Sequence, residues 1–379
     1  MLDLALTSEQ ELLRNTARDF VERECPLATV REIAEREGGF SSELWQKIAG
    51  LGWLGILIPT AYSGEGGSLT AAAVLYEEMG RGLLPGPHHS SAVLGALLLL
   101  HGGSEEQKQR LLPAVARGEQ ILALAYTEAD YGWGAEHVGM TATARDGGFV
   151  LEGTKQFVPD AGIADQLICV TRTRSSGDLR QGLTLFLVDR EAAGVQHRPM
   201  TGFFGDPLHE VTFSGVEVSP DSVIGEVDQG WEVLTPALDT ATALLCAYIA
   251  GASRRVYEIT LAYAQRRVQF GQPIARFQRV QDHLIDMVNN ADAARWTACE
   301  AVWKLETGKP DAEEAVSVAK AVASEGFYQL CESSHHVHAG VGSDQAYGLY
   351  LYTKKSRSLY HYLGDPAFHR QRLAGLLKL

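Results

Sequence analysis

Apolar positions near the start of the chain fall on one helical stripe. Leu13, Ala17, Phe20 and Val21 stand at i, i+4, i+7 and i+8, behind a Thr7/Gln10 pair with the spacing of a capping box. Helical periodicity continues to about residue 120, broken by Gly/Pro clusters at 59–67 (PTAYSGEGG) and 84–87 (LPGP) that read as loops. Between about 121 and 225 the pattern shortens to β-branched and alternating runs, at 141–145, 149–151, 167–173, 183–188 and 211–218. Asp146-Gly147-Gly148 separates the first two, and Gly or Asp turns separate most of the others, as in an antiparallel sheet or barrel. After Gly230 the helical period returns in Ala-rich segments around 238–269, 277–306 and 311–331, which suit a bundle. The expected organisation is an N-terminal helical domain over 1–120, a middle β domain over 121–225 and a C-terminal helical domain over 226–379. Neither an internal repeat nor a long linker separates them, so the three blocks are expected to fold together.

Composition narrows the functional classes. The chain of 379 residues carries 33 Lys+Arg against 47 Asp+Glu, a formal charge of −14, and 45% of its residues are hydrophobic. Such a chain can build a large core and is not disordered. Without a basic block it is a poor match for a phosphate backbone, so no nucleic-acid partner is expected. The longest apolar runs, 91–100 and 241–252, fall short of the ~20 residues a membrane span needs. The N-terminal MLDLALTSEQELL lacks a basic region followed by an apolar one, so a cytoplasmic location is expected. Cys25, Cys169, Cys246, Cys299 and Cys331 are odd in number and far apart, and read as buried reduced thiols.

The richest candidate chemistry lies at 263–281, YAQRRVQFGQPIARFQRVQ. A helix carrying Arg267 is expected to end near Gly271-Gln272-Pro273 and a second to begin around Phe277. That places Arg267, Gln269, Phe270 and Gln278 around one turn. An arginine fork suits a pyrophosphate, and Phe270 can cover a planar group beside it; on pattern alone the same residues also read as a plain surface helix pair. His335, His336 and His338 with Cys331 invite a metal reading, but their spacing matches no usual zinc pattern, so no metal is expected. Gly64-Glu65-Gly66-Gly67 lacks the Lys-Ser/Thr and the preceding strand of a phosphate loop.

Taken with 103–108 (GSEEQK), Tyr126-Thr127-Glu128, Gly153-Thr154-Lys155 and 337–342 (VHAGVG), the 263–281 segment resembles the acyl-CoA dehydrogenase family over nearly the whole chain. The resemblance implies the acyl-CoA dehydrogenase fold: an N-terminal helical domain, a middle antiparallel β barrel or sandwich and a C-terminal four-helix bundle. It further implies FAD at a dimer interface of a tetramer, an acyl-CoA substrate desaturated between its α and β carbons, and an electron-transfer flavoprotein as a possible acceptor. In that chemistry a carboxylate removes the α proton, hydride leaves the β carbon for the flavin, and hydrogen bonds to the thioester carbonyl stabilise the enolate character.

Several implied positions depart from the family pattern. The usual base is the Glu of a Tyr-Glu-Gly-Thr motif, and aligning 355–364 (KSRSLYHYLG) puts Leu363 in its place. The other known seat, thirty residues before Gly271, is Ala241. Asp239 and Asp365 lie close to these seats in sequence as weak substitutes, and also read as solvated or capping carboxylates. Where the family has Trp-Ile-Thr beside the flavin, this chain has Phe157-Val158-Pro159, and proline supplies neither hydroxyl nor N–H. The family's Thr-Glu-Pro-Gly-x-Gly-Ser loop appears here as Thr127 to Trp133, directly after Tyr126, and Trp133 replaces the small hydroxyl. By contrast Arg267, Gln269 and Phe270, which in the family reach a neighbour's FAD, are intact; His336 replaces a Gln in the second cross-interface loop, which also holds Gly340. Two roles fit: a base-lacking subunit that completes the FAD site of a Glu-bearing sister, as in the paired dehydrogenases of steroid side-chain degradation, or a self-sufficient enzyme with a relocated base.

Overall fold

The computed structural model describes residues 5–36, 39–202 and 206–379; residues 1–4 of the N-terminal segment discussed above lie outside them. The chain separates into two units, one formed by Met1–Ile33, Leu69–Leu84 and Thr242–Leu379, the other by Ala34–Ser68 and Pro85–Ala241.

The first unit is helical. It contains α1 (Ser8–Glu24), most of α2 (Leu27–Ala34), α4 (Leu69–Arg81), the larger part of α7 (Gly230–Arg266), α8 (Gln278–Glu306), α9 (Ala312–His338), α10 (Leu349–His361) and α11 (Pro366–Leu376). The expected capping box starts α1: Gln10 N–H donates to Thr7 Oγ1 at 3.2 Å and Thr7 N–H to Gln10 Oε1 at 3.0 Å. Close approach of α4 and α7 depends on two glycines. A Cβ on Gly80 would meet the Tyr248 carbonyl oxygen at 1.9 Å, and one on Gly251 the Glu77 carbonyl oxygen at 1.8 Å. Arg18 grips the buried Glu78 through two bonds of 3.0 and 2.6 Å, while Arg81 grips Glu258, so α1, α4 and α7 are cross-tied by paired charges. α9 packs along α8, and α11 is tied to α9 by Arg370–Glu325 and Arg372–Glu313.

Two sequence expectations need correction here. α7 ends at Arg266, so Arg267 follows the helix, its N–H donating to Tyr263 O as a cap. α7 is also long and apolar enough, by length and composition alone, to cross a membrane. Uninterrupted apolar runs understate it because Asp239 and scattered threonines break them. As 72% of its most apolar window is buried, it is a core helix.

The second unit joins α3 (Ser42–Gly50), a buried π-helical turn at His88–Gly95, α5 (Ala96–Gly102) and α6 (Glu105–Ala116) to an eight-stranded sheet. Its strands are β1 (Leu122–Ala125), β2 (Thr141–Arg145), β3 (Gly148–Pro159), β4 (Gln166–Arg172), β5 (Leu183–Asp189), β6 (Val195–Thr201), β7 (Pro207–Val218) and β8 (Val223–Ile224), in spatial order β6-β7-β3-β2-β4-β5-β8. Pairing is antiparallel except that β1, and one residue of β2, run parallel to β4. Asp146 and Gly147, at φ 49° and 83°, form the two-residue turn joining β2 to β3, the left-handed pair that a tight hairpin demands. Three strands of this sheet escaped the sequence reading, the two-residue β8 among them. β1 is four buried apolar residues with no alternation, and β6 is a largely exposed edge strand whose Pro199 argues against a central position. Cys25, Cys169, Cys246 and Cys331 are buried and Cys299 is half-buried, and none of the five is in a disulfide.

Candidate active site

In the helical unit the chain after Arg267 forms a two-stranded hairpin, β9 (Val268–Gln269) and β10 (Gln272–Pro273), turned by Phe270 and Gly271 at φ 51° and 78°. Glycine adopts this conformation freely, whereas for phenylalanine it is strained. Phe270 is 92% exposed, its ring edge-on to Phe277 at 6.1 Å. Arg267, Gln269 and Gln278, the first residue of α8, are exposed beside it. At the end of α9, exposed His336 stacks on His283 of α8 at 5.2 Å. Ala339 then turns the chain at φ 51°, ψ −136°, a region costly for any residue with a Cβ, and leads to exposed Gly340. The three histidines diverge: His335 meets Thr353, while His338 is buried between Ser334 O and the Tyr347 hydroxyl. Among the described residues no three His, Cys, Asp or Glu side chains gather as metal ligands.

The same unit holds Leu363, the first position that the family resemblance gives for the base. Leu363 is buried at 3% exposure and sits at φ 59° in the turn between α10 and α11. Lys320 of α9, fully buried, clasps this turn: its ammonium donates to the carbonyls of Gly364 (2.8 Å), Leu359 (3.1 Å) and Tyr360 (3.3 Å) and to Ser324 Oγ (2.7 Å). His369 donates from Nε2 to the Leu363 carbonyl at 2.8 Å. Asp365 caps α11, accepting from Phe368 N–H at 2.8 Å. Burial, opposed by Cys246 and Asp365, pushes the Lys320 ammonium down to about 8. Burial and then the Lys320 charge push His369 down to about 3.

A pH dependence follows from His369. With a folded value near 3 against an ordinary 6.5, the unfolded chain takes up a proton in that window which the folded chain refuses. This contribution is therefore complete above about pH 6.5 and is lost as pH falls toward 3. His369→Gln is expected to flatten the decline, read as the change in urea midpoint between neutral and mildly acidic buffer; an unchanged decline contradicts the assignment.

In the sheet unit, Tyr126 and Thr127 follow β1, while Phe157 and Pro159 end β3. The β3–β7 register shifts between Lys155 and Val158, and Phe157 lies in this bulge at φ 56°. Thr127 Oγ1 donates to Gln156 O at 2.6 Å, and Gln156 N–H returns to Thr127 O at 2.8 Å. Lys155, fully buried, donates to Tyr126 O (3.0 Å) and Glu128 Oε1 (2.7 Å). Burial drives its ammonium below the ordinary lysine value, against the opposing pull of Glu128. Ala241, the second position that the resemblance gives for the base, is fully buried, its carbonyl meeting His89 Nε2 at 2.9 Å. Asp239 is buried at 5% exposure.

The structure thus gathers Arg267, Gln269, Phe270 and Gln278 on one exposed corner of the helical unit. Within the sheet unit it brings Tyr126 and Thr127 beside Gln156, next to Phe157. Sequence reasoning missed Lys320 and His369. The available signal was a lysine inside the apolar stripe Val316, Ala319, Ala323 and Phe327, where a solvated charge has no place.

Comparison with known proteins agrees along the chain. Family models for the N-terminal, middle and C-terminal domains of acyl-CoA dehydrogenase match residues 7–119, 123–216 and 228–377. A 3-(aryl)acrylate reductase of Clostridium sporogenes (strain ATCC 15579) is 30% identical over 98% of this chain and 99% of that protein. Among solved structures, a variant of the Tcur3481-Tcur3483 steroid ACAD is 31% identical, with a TM-score of 0.87 over 98% of both chains. An FAD-dependent dehydrogenase is 26% identical, with a TM-score of 0.90 over 100% of both.

Proposed function

Because this chain belongs to the acyl-CoA dehydrogenase family, a family of FAD-linked acyl-CoA oxidoreductases, we propose that it is a base-lacking subunit of such an enzyme. Its part is to complete, from the 267–273 hairpin, the cofactor site of a Glu-bearing sister chain. One observation carries this reading: the turn at the usual base seat is held in shape by Lys320 and His369, yet presents Leu363, which cannot take a proton. Ala241 at the other seat is equally inert, and Asp365 is engaged as a helix cap.

The two units fit FAD unequally. In the helical unit, Arg267 would hold the pyrophosphate and Phe270 cover an adjacent ring, with Gln269, Gln278 and His336 as donors and Gly340 as bare backbone that nothing crowds. FAD supplies the hydride acceptor of the family's chemistry. The sheet unit does not fit: the Thr127 hydroxyl already donates within the sheet unit, Pro159 has no N–H, and Tyr126 is committed to Trp133 O. No catalytic step is therefore assigned to Tyr126, Thr127, Phe157 or Pro159.

The reaction is α,β-desaturation of an acyl-CoA, with a fatty or steroid side-chain acyl group, in a cytoplasmic hetero-oligomer, a tetramer by family habit, served by an electron-transfer flavoprotein. Resemblance to a steroid ACAD whose designation joins two chains supports the paired arrangement and the steroid choice. Domain limits near residues 120 and 225 belong to the same proposal. Arg267→Ala tests it: flavin affinity of the assembly should fall roughly tenfold or more, the worth of a charge-assisted hydrogen bond, with the fold unchanged. Unchanged flavin content in an assembly that binds flavin would remove Arg267 from the site.

A further inference from the structure

The 267–273 hairpin and the loop that follows α9 meet at their roots. Tyr263 lies in the last turn of α7, and its carbonyl accepts the Arg267 N–H at 2.8 Å, so the hairpin springs directly from that turn. Its ring stacks on His338, the last residue of α9, with centroids 4.3 Å apart and planes 26° from parallel. Tyr347 completes a triangle of rings, 6.3 Å from Tyr263 and 5.3 Å from His338. This triangle is the contact that the two segments share.

Both ring nitrogens of His338 are engaged. A carbonyl only accepts, so Nδ1 carries the proton and donates to Ser334 O at 2.9 Å, which leaves Nε2 to accept from the Tyr347 hydroxyl at 3.1 Å. That second bond closes the neck of the 339–346 loop, which runs between the two partners. Burial holds the His338 imidazole below the ordinary histidine value, against the pull of the Ser334 carbonyl, and so favours this neutral form. About one turn earlier along the same seam, the Thr260 hydroxyl donates to Val256 O at 2.8 Å and accepts from the Ser334 hydroxyl at 2.8 Å. Ala339, directly after His338, holds φ 51°, ψ −136°, a backbone that persists only where its surroundings fix it.

We infer that Tyr263, His338 and Tyr347 are positioning residues for the cofactor: their ring triangle fixes the 267–273 hairpin and the 339–346 loop to each other, so that Arg267, Phe270 and Gly340 present one preformed surface. The inference rests on the subunit reading and deepens it. Two independent segments would have to be ordered when the cofactor binds, at a cost in affinity, whereas a surface joined at its root is ordered by folding.

Hydrogen exchange of the full chain, read by mass spectrometry over peptides covering 264–277, tests the coupling without flavin. His338→Ala should speed exchange there roughly threefold to tenfold, the worth of a ring pair. His338→Phe keeps a flat ring on Tyr263 and should stay near the wild-type rate; His335→Ala, which removes the neighbouring imidazole outside the stack, should leave the hairpin unchanged. In the assembly with a Glu-bearing sister, the flavin dissociation constant should rise by a similar factor for His338→Ala and recover in His338→Phe. Should His338→Ala fail to fold, Tyr263→Leu opens the same stack from α7. Unchanged hairpin exchange in a folded variant, equal acceleration by His335→Ala, or unchanged flavin affinity where Arg267→Ala weakens it would each overturn the positioning role. Flavin affinity insensitive to Arg267→Ala refutes the subunit reading instead, and the exchange rates still decide whether the triangle joins the two segments.

Discussion

Placing a carboxylate at position 363 in a chain whose residues 133 and 159 are returned to the family pattern should confer acyl-CoA turnover: Leu363→Glu combined with Trp133→Ser and Pro159→Thr is expected to run roughly 10²- to 10⁴-fold faster than the Trp133/Pro159 double variant. That factor is what a positioned general base contributes. The turn needs no remodelling to receive it, because Lys320 and His369 hold main-chain carbonyls and not the side chain at 363. Glutamate at φ 59° carries the same backbone penalty that leucine already bears there. Leu363→Glu alone should do little, since proton removal without a hydride acceptor on the same site completes nothing. The measurement is steady-state reduction of an artificial acceptor with straight-chain, branched and steroid acyl-CoAs; equal rates for double and triple variants would show that 363 is not a base seat in this chain.

Lys320→Ala carries the largest expected effect on stability, a loss of about 3–5 kcal/mol. The ammonium is fully buried and shared among three carbonyls and Ser324 Oγ, so truncation strands several acceptors away from water as well as leaving a cavity. Lys320→Met fills the space but leaves the carbonyls unpaired, and should recover only the packing part. Urea unfolding at neutral pH reads both variants. A loss below about 1 kcal/mol for Lys320→Ala would mean that the turn finds other donors.

What the sequence disclosed follows the range of the interactions involved. The Thr7/Gln10 cap, the Asp146-Gly147 turn and the period switches near 121 and 230 are local, and the structure has them where the pattern placed them, with α7 starting earlier than its Ala-rich core. β6 lacked a signal because an exposed edge strand carries no buried alternation. In the site, Arg267, Gln269 and Phe270 were visible as a motif, but their hairpin was not, since two residues of strand on either side of a turn fall below any periodicity. The Lys320–Leu363 clasp joins residues more than forty positions apart, and the ring contact of Tyr131 with Phe157 joins the end of β3 to a loop about two dozen residues earlier. Neither long-range contact leaves a trace in local spacing.

The strained positions sharpen the functional reading. Tyr131, Phe157, Phe270, Ala339 and Leu363 all hold positive φ, and all lie at or beside positions that the family resemblance ties to cofactor or base. Strain of about 1–3 kcal/mol per residue is retained where a backbone shape matters more than the side chain on it. The base-lacking reading accounts for this, since on it the backbone of the site is kept while its chemistry is replaced.

The most direct test of the central claim is acyl-CoA turnover by the purified chain alone, beside the same chain mixed with a Glu-bearing sister from the same genome, flavin being measured in both. A base-lacking subunit predicts no turnover alone, turnover in the mixture, about one flavin per two chains there, and loss of flavin on Arg267→Ala in this chain. Rapid turnover by the lone, fully flavin-loaded chain would contradict it.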